Sequence, residues 1–476
     1  RMAHVHTPPA NLPLTIGALR ASGWQSFPVK EELRRNAVKR IAAGLPLFEG
    51  VLGYEDTVMP QLENALLAGH DVIFLGERGQ AKTRIIRSLT GLLDDWMPII
   101  SGSEINDDPY NAVSRHAREL VAAHGEDTPI AWVHSSDRYG EKLATPDTSV
   151  SDLIGEVDPI KVAEGRYLSD ELTIHYGLVP RTNRGIFAIN ELPDLAERIQ
   201  VGLLNVLEER DVQIRGYKIR LPLDVMLVAS ANPEDYTNRG RMITPLKDRF
   251  GSQIRTHYPL EVSTEMDIVR QEARSSSIGD VHVQWPEFME EIITTISHVA
   301  RSSSQVNQRS GVSVRLSVSN YETLAANAVR RALRVGETEV APRVSDLAAL
   351  AASTSGKIEI ESMEEGRESQ ILENFVKAAV LQVFKKRVSS AKIGEVIALF
   401  EGGVIAHAGE DIASAQYVEL FNQVPPLREL VVAAVGNTES VAQIASGVEF
   451  VLEGLHLSKR LNKDESGSRA TYRSRT

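Results

Sequence analysis

Apolar and polar positions in the first half of this chain switch repeatedly between two periods. Asp71–Leu75, Arg184–Glu191 and Asp224–Ser230 carry the short apolar runs of strands buried on both faces. Between them the apolar positions recur at helical spacing. Val29–Ala43 reads as a charged amphipathic helix, and Val58, Leu62, Ala65 and Leu66 mark the next. Lys82–Leu93 carries Ile85, Ile86, Leu89, Leu92 and Leu93 on one face, and Leu195–Glu209 carries Ile199, Leu203, Val206 and Leu207. A polar stretch, 102–128, is expected to hold a helix from Asp108 to Ala123, followed by a candidate strand at Pro129–His134. Residues 211–221 alternate around Gly216-Tyr217, a hairpin signal. Strands alternating with helices predict an α/β fold with a parallel sheet.

Past Tyr258 the pattern is helical, clearest at 261–275, 287–301 and 317–335. A weaker region, 336–369, holds an acidic run and suggests a boundary or long loop, before a strong helix over ILENFVKAAVLQVFKKRV and a last one at 438–461. The expected organisation is an arm and helix over 1–45, an α/β core over 46–258, a helical lid over 259–342, a helical region over 343–461 and a disordered basic tail over 462–476. Residues 1–28, with Pro8, Pro9 and Pro13, read as an arm with little structure of its own. Residues 135–184 are too long for a plain connection and read as an insertion.

Composition narrows the function classes. The 476 residues are 42% hydrophobic and 24% charged, the balance of a globular protein. A net charge of −12 argues against broad nonspecific nucleic-acid binding, which needs many cationic contacts to phosphates. There is no cysteine, so thiolate metal sites and a cysteine nucleophile are excluded. No apolar stretch reaches membrane-spanning length and the first residues lack a secretion-signal core, so the expectation is a cytoplasmic protein without membrane insertion.

The candidate chemistry sits where the first strand ends, in Gly76-Glu77-Arg78-Gly79-Gln80-Ala81-Lys82-Thr83. Glycines let the backbone curl so that its N–H groups face a polyphosphate, and a following helix start favours negative charge. In such a loop Lys82 reaches the β- and γ-phosphates and the Thr83 hydroxyl sits on Mg2+, so ATP and Mg2+ are the expected cofactors. Ala81 stands where the pattern has glycine, and a methyl group fits there if that residue is already helical. Read alone, the segment is also compatible with an ordinary strand-turn-helix. An ATPase further needs an acidic group near Mg2+ and a carboxylate to orient water, at the end of a neighbouring buried strand. Asn190-Glu191 ends the second apolar strand. Glu191 suits the water-orienting role, whereas Asn190 brings an amide to the metal side and no charge.

Taken in order, these motifs resemble the AAA+ ATPases of the magnesium-chelatase I subunit and MoxR-like clade, over about Leu47 to Leu333. GLVPRTNRGIFAINELPDL, LLNVLEERDVQIRGYKIRLPLDVMLVASANPED and ITPLKDRFG carry the resemblance. It implies an AAA+ P-loop sheet core with a helix-two insert at about 135–184, a hairpin before the first sensor at 211–221, and a helical lid. It also implies that Asn232 is the first sensor, Arg249 an arginine finger reaching the ATP of a neighbouring subunit, and Arg315 the second sensor. Read singly, Asn232 could be a turn residue before Pro233, Arg249 a structural arginine paired with Asp248, and Arg315 a surface arginine at a helix start.

The resemblance further implies a homo-oligomeric ring, with a hexamer expected, that remodels a partner carrying a von Willebrand factor A domain. An alternative is a nucleotide-gated scaffold in which Asn190 slows or stops turnover. A magnesium-chelatase subunit proper ranks lower, because of Asn190 and the extra C-terminal region. A DNA motor ranks lower still, because the chain has an acidic balance and no recognisable DNA-binding module.

Overall fold

Val72–Leu75, apolar at every position, lies between two parallel neighbours in the computed structural model, which is why no polar side chain interrupts it. The structure describes residues 6–157, 174–209, 211–214, 217–237, 242–274, 279–308, 310–360, 367–467 and 469–475. The middle of the expected insertion, the hairpin tip at 215–216 and most of the acidic run at 361–366 lie outside them. The chain divides into two compact units. One holds 1–77 and 81–257; the other holds 78–80 and 258–476.

In the first unit the central sheet has five strands, here β1 Val72–Leu75, β2 Tyr139–Leu143, β3 Gly185–Asn190, β4 Val225–Ala231 and β5 Ser252–Arg255. Their order is β5-β1-β4-β3-β2, all parallel. Register is set by Val72 opposite Val228 and Ser252, Ile189 opposite Ala229, and Asn190 opposite Leu143. The alternating side chains feed two cores. Val72, Phe74, Ile186, Ala188, Met226 and Val228 pack with the helices Val29–Ala42, Val58–Ala68 and Lys82–Ser88. Ile73, Leu75, Phe187, Ile189, Leu227 and Ala229 pack with Glu197–Leu204 on the opposite face.

The edge strand β2 corrects the expected insertion. Tyr139–Leu143 belongs to the central sheet, so anything inserted begins after it. An edge strand is covered on one side only and need not be apolar, which hid YGEKL within a mixed stretch. Ile130–His134 does not join the central sheet; it pairs antiparallel with Trp96–Ile100. The helix expected from Asp108 starts at Arg115, capped by Ser114, whose hydroxyl accepts from the Ala117 N–H. The N-terminal arm is also more ordered than its prolines suggest. Thr15 caps a helix, Ile16–Ala21, that buries Ile16 and Leu19 with Ile100 and Ile130, and the Trp132 indole donates to the Pro13 carbonyl at 2.7 Å. The hairpin does form, with Asp211–Ile214 antiparallel to Tyr217–Arg220.

A buried ion pair ties helix Val29–Ala42 to the entry of β2. Arg138 donates to both oxygens of Glu32 at 2.7 and 2.6 Å, and also to the Arg184 carbonyl. Both side chains are nearly inaccessible, so each charge depends on the other.

The second unit shares one core across the boundary expected near 343. Phe288 on Glu287–Ser302 stacks on Phe450 of Val441–Leu457, and Phe384 of Arg367–Arg387 meets the same ring edge-on. Gly454 lets Phe384 approach, since a β-carbon there would lie 2.1 Å from the ring. Buried Glu265 accepts from Arg301 and the Ser317 hydroxyl and lies 3.0 Å from His298, joining three helices. Burial raises the Glu265 pKa, but these partners outweigh it and hold the group below the ordinary carboxylate value.

The expected tail is instead a hairpin. Leu461–Ser466 pairs with Arg469–Ser474 through a two-residue connection, and the second strand also pairs with Ala406–Gly409. Tyr472 is buried and its hydroxyl donates to Glu453 at 2.5 Å. Polar composition concealed an alternating pattern around Gly467, the residue type such a short turn needs.

Replacing Glu32 by Ala strands a buried guanidinium, and urea unfolding is expected to register a loss of about 3–5 kcal/mol; converting Glu32→Leu and Arg138→Met together should cost far less. Tyr472→Ala is expected to destabilise the second unit by about 3–5 kcal/mol in the same assay, whereas a disordered tail would show no change.

Candidate nucleotide site

Parallel strands end on the same edge of a sheet, so the residues following β1, β3 and β4 converge. The loop after β1 is anchored on both sides: the Gly76 N–H donates to the Ala231 carbonyl at 3.1 Å, and the Thr256 N–H to the Leu75 carbonyl at 2.9 Å. Gly79 has φ +77°, a left-handed conformation suited to glycine. Ala81 also has φ +58°, with ψ 14°. It is therefore not helical, contrary to the condition on which its methyl group was expected to fit. A left-handed alanine stores about 1–2 kcal/mol of strain.

Helix Lys82–Ser88 starts at once after it. Lys82 is buried, and its ammonium donates to the carbonyls of Gly76 and, at 2.9 Å, Glu77. The charge is thus turned into the concavity of its own loop. Thr83 is half-buried, Gln80 is buried and Arg78 is exposed.

At the end of β3, Asn190 is buried between two partners. Its amide Nδ2 donates to Glu141 Oε1 at 2.7 Å, and its Oδ1 accepts from the Ser230 hydroxyl at 3.3 Å. The orientation is dictated by Glu141, because the reverse would set two acceptors face to face. Glu191 follows with φ +54°, its N–H donating to the Ser230 Oγ at 3.3 Å. Asn232, after β4, has a buried Oδ1 with no hydrogen-bond partner among the described residues. That acceptor suits a water or hydroxyl donor, and such a group is what an attacking nucleophile would be.

Glu141 was not legible as a site residue. It lies on β2, where four donor contacts meet its carboxylate: two from Arg87 at 2.7 and 2.9 Å, the Tyr139 hydroxyl at 3.1 Å and the Asn190 amide. Burial pushes its pKa up, but Arg87, Tyr139 and Asn190 more than offset this and hold it below the usual carboxylate range.

Arg249 lies elsewhere in the unit. It pairs with Asp71 at 3.1 Å and with Glu208; Asp248, its expected structural partner, is exposed. Asp71 also holds Lys30 at 3.0 Å and the Leu227 N–H. Because Asp71 precedes β1 and Gly76 follows it, about 17 Å of strand separates this cluster from the loop. Arg315 is an exposed residue that opens helix Arg315–Val335 in the second unit, its N–H donating to the Ser313 hydroxyl. Thus Lys82, Asn190, Glu191 and Asn232 lie at one edge of the sheet, and Arg249 at the other.

Sequence comparison finds relatives for this chain. The Sigma-54 interaction domain family matches residues 163–249. The magnesium-chelatase 38 kDa subunit of Cereibacter sphaeroides is 30% identical over 235 residues, 47% of this chain and 62% of the relative. The magnesium-chelatase subunit ChlI of a Nostoc species is 28% identical over 233 residues, covering 47% and 58%. The chain is similar to the magnesium-chelatase I subunits over part of their length, and its parallel α/β core is consistent with an AAA+ fold. The matches span about three fifths of these relatives' length. Among solved structures, NtrX from Brucella abortus in complex with ADP is 15% identical, covering 82% of this chain and 72% of its own, with a TM-score of 0.40. Among the described residues, no helix is long and apolar enough to cross a membrane.

Relieving the left-handed alanine is expected to stabilise the first unit: Ala81→Gly should gain up to about 1 kcal/mol on urea unfolding, while Ala81→Val, branched at a positive φ, should lose more than that.

Proposed function

We propose that this chain binds Mg2+-ATP at the loop 76–83, hydrolyses it, and works as a subunit of a ring. The observation that carries the reading is the meeting of Lys82, Asn190, Glu191 and Asn232 at the carboxyl ends of adjacent parallel strands, where α/β sheets bind nucleotides. The donors fit the ligand. Lys82 exchanges the loop carbonyls for phosphate oxygens, backbone N–H groups of the loop beyond Gly76 face the polyphosphate, and the Thr83 hydroxyl would hold Mg2+. When bound, the metal neutralises charge on the phosphates. Glu191 takes the proton from the attacking water while the Asn232 Oδ1 accepts its second hydrogen bond.

The distance of Arg249 from its own loop supports a role in trans. A guanidinium about 17 Å away reaches no phosphate of its own subunit, but a neighbour stacked against that edge would receive it. In the isolated chain Asp71 and Glu208 hold it in place. Arg315 is the second sensor in this reading. By resemblance to MoxR-like proteins, the ring remodels a partner with a von Willebrand factor A domain. The uncharged Asn190 favours one second reading, a scaffold that assembles on ATP and turns it over slowly or not at all. Activity as a chelatase subunit ranks below both, since the relatives so named are matched over part of their length only.

Lys82→Ala should weaken ATP binding roughly 10- to 150-fold in a fluorescence titration, the loss of a charge-assisted contact of about 1.5–3 kcal/mol. Glu191→Gln should bind ATP normally yet lose hydrolysis by about 10²–10⁴-fold. Arg249→Lys keeps a cation beside Asp71 but lacks the fork. Mixed with Lys82→Ala it should regain hydrolysis that neither variant shows alone, because each supplies what the other lacks at the shared interface. Absence of recovery would rule out the finger in trans.

A further inference from the structure

The pairing of Asn190 with Glu141 bears on the one position where the site lacks a charge. A metal held among phosphates needs an anionic partner to polarise and orient its water shell, and a neutral amide at the end of β3 does not provide one. A carboxylate stands one hydrogen bond away. Glu141 Oε1 lies 2.7 Å from the Asn190 amide, on the strand adjacent to β3, and on the same face of the sheet as helix Lys82–Ser88, from which Arg87 reaches it. Resting on the nucleotide reading above, we propose that Glu141 is the residue that supplies negative charge to the metal side of the site, with Asn190 holding it in position.

The geometry has three consequences. Asn190 is a positioning residue: its amide is committed to Glu141 and its carbonyl to Ser230, so it braces the carboxylate between two strands. Arg87 is a replaceable counter-ion. Its side chain is 63% exposed, so the pair is a surface ion pair worth little once a divalent cation competes for the same oxygens. The arrangement also divides one aspartate's work between two residues. A carboxylate reaches the site from β2 while a neutral group occupies the end of β3, and this avoids setting two carboxylates 2.7 Å apart. Asn190→Asp would create that juxtaposition, so a single change at Asn190 adds repulsion rather than a better metal site.

The test measures ATP affinity by titration with and without Mg2+, and reads the ratio as the metal's contribution. The variants are Glu141→Gln, Arg87→Gln, Asn190→Asp and the exchanged pair Glu141→Gln with Asn190→Asp. Glu141→Gln preserves shape and should keep metal-free ATP binding while lowering the Mg2+ enhancement tenfold or more. Exchanging the pair returns one carboxylate and one amide to the same hydrogen bond and should restore the enhancement. Arg87→Gln should retain or increase it. An undiminished enhancement in Glu141→Gln overturns the proposal, as does failure of the exchanged pair to restore it. Equal loss in Arg87→Gln also overturns it, because Glu141 would then be only a brace. Metal-free binding separates this failure from that of the nucleotide reading: if the wild type binds no ATP, or Lys82→Ala binds as the wild type does, the premise falls instead.

Discussion

The parallel pairing of Val72–Leu75 with Val228–Ala231 on one side and Ser252–Arg255 on the other is the constraint on which the rest of the first unit depends. It forces a four-residue strand to be apolar throughout and fixes the direction in which the chain leaves it. The loop at 76–83 is a consequence: its first N–H is taken by the end of β4 and the last strand carbonyl by Thr256, so the following residues curl within a short span. Two left-handed residues, Gly79 and Ala81, accomplish the turn. The same parallelism carries Asn190 and Asn232 to the edge where Lys82 lies and leaves Asp71, with Arg249, at the other.

Charge is handled differently at the two edges. At the base, buried Asp71 is surrounded by Lys30, Arg249 and the Leu227 N–H, a set that fixes the start of β1 and holds Arg249 in one place. At the loop edge the groups are held less completely by one another. Lys82 donates to loop carbonyls that a stronger anionic ligand displaces, and among the described residues the Asn232 oxygen has no donor. Glu141 connects the two modes of bonding, sharing its oxygens between exposed Arg87 and buried Asn190. A core built for stability therefore borders a set of polar groups arranged to change partners.

Much of this was legible because it rests on local pattern. Apolar runs ending in glycine, or in Asn-Glu, mark buried strands with polar ends, and the strands were found close to where they lie. What escaped reading depends on neighbours. Tyr139–Leu143 has the composition of a surface loop and becomes a strand only because β3 needs a partner on that side. Glu141 acquires its significance from Asn190, a residue 49 positions away in sequence. The left-handed backbone of Ala81 follows from how tightly the loop turns, and no side-chain pattern announces it. At the C-terminus, polar residues suggested disorder over 462–476, where Tyr472 in fact enters the core of the second unit. The lid and the helices after it were read as separate because of the weak, acidic stretch at 336–369, whereas the buried pair of Arg331 and Asp346 links them.

The central claim is that this site turns over Mg2+-ATP with a group supplied by a neighbouring subunit. It is tested most directly by steady-state, Mg2+-dependent ATP hydrolysis measured against protein concentration. The account predicts a specific rate that is low in dilute protein, climbs as subunits associate and then levels off. A specific rate independent of concentration, or none at all in protein that still binds ATP, would contradict it.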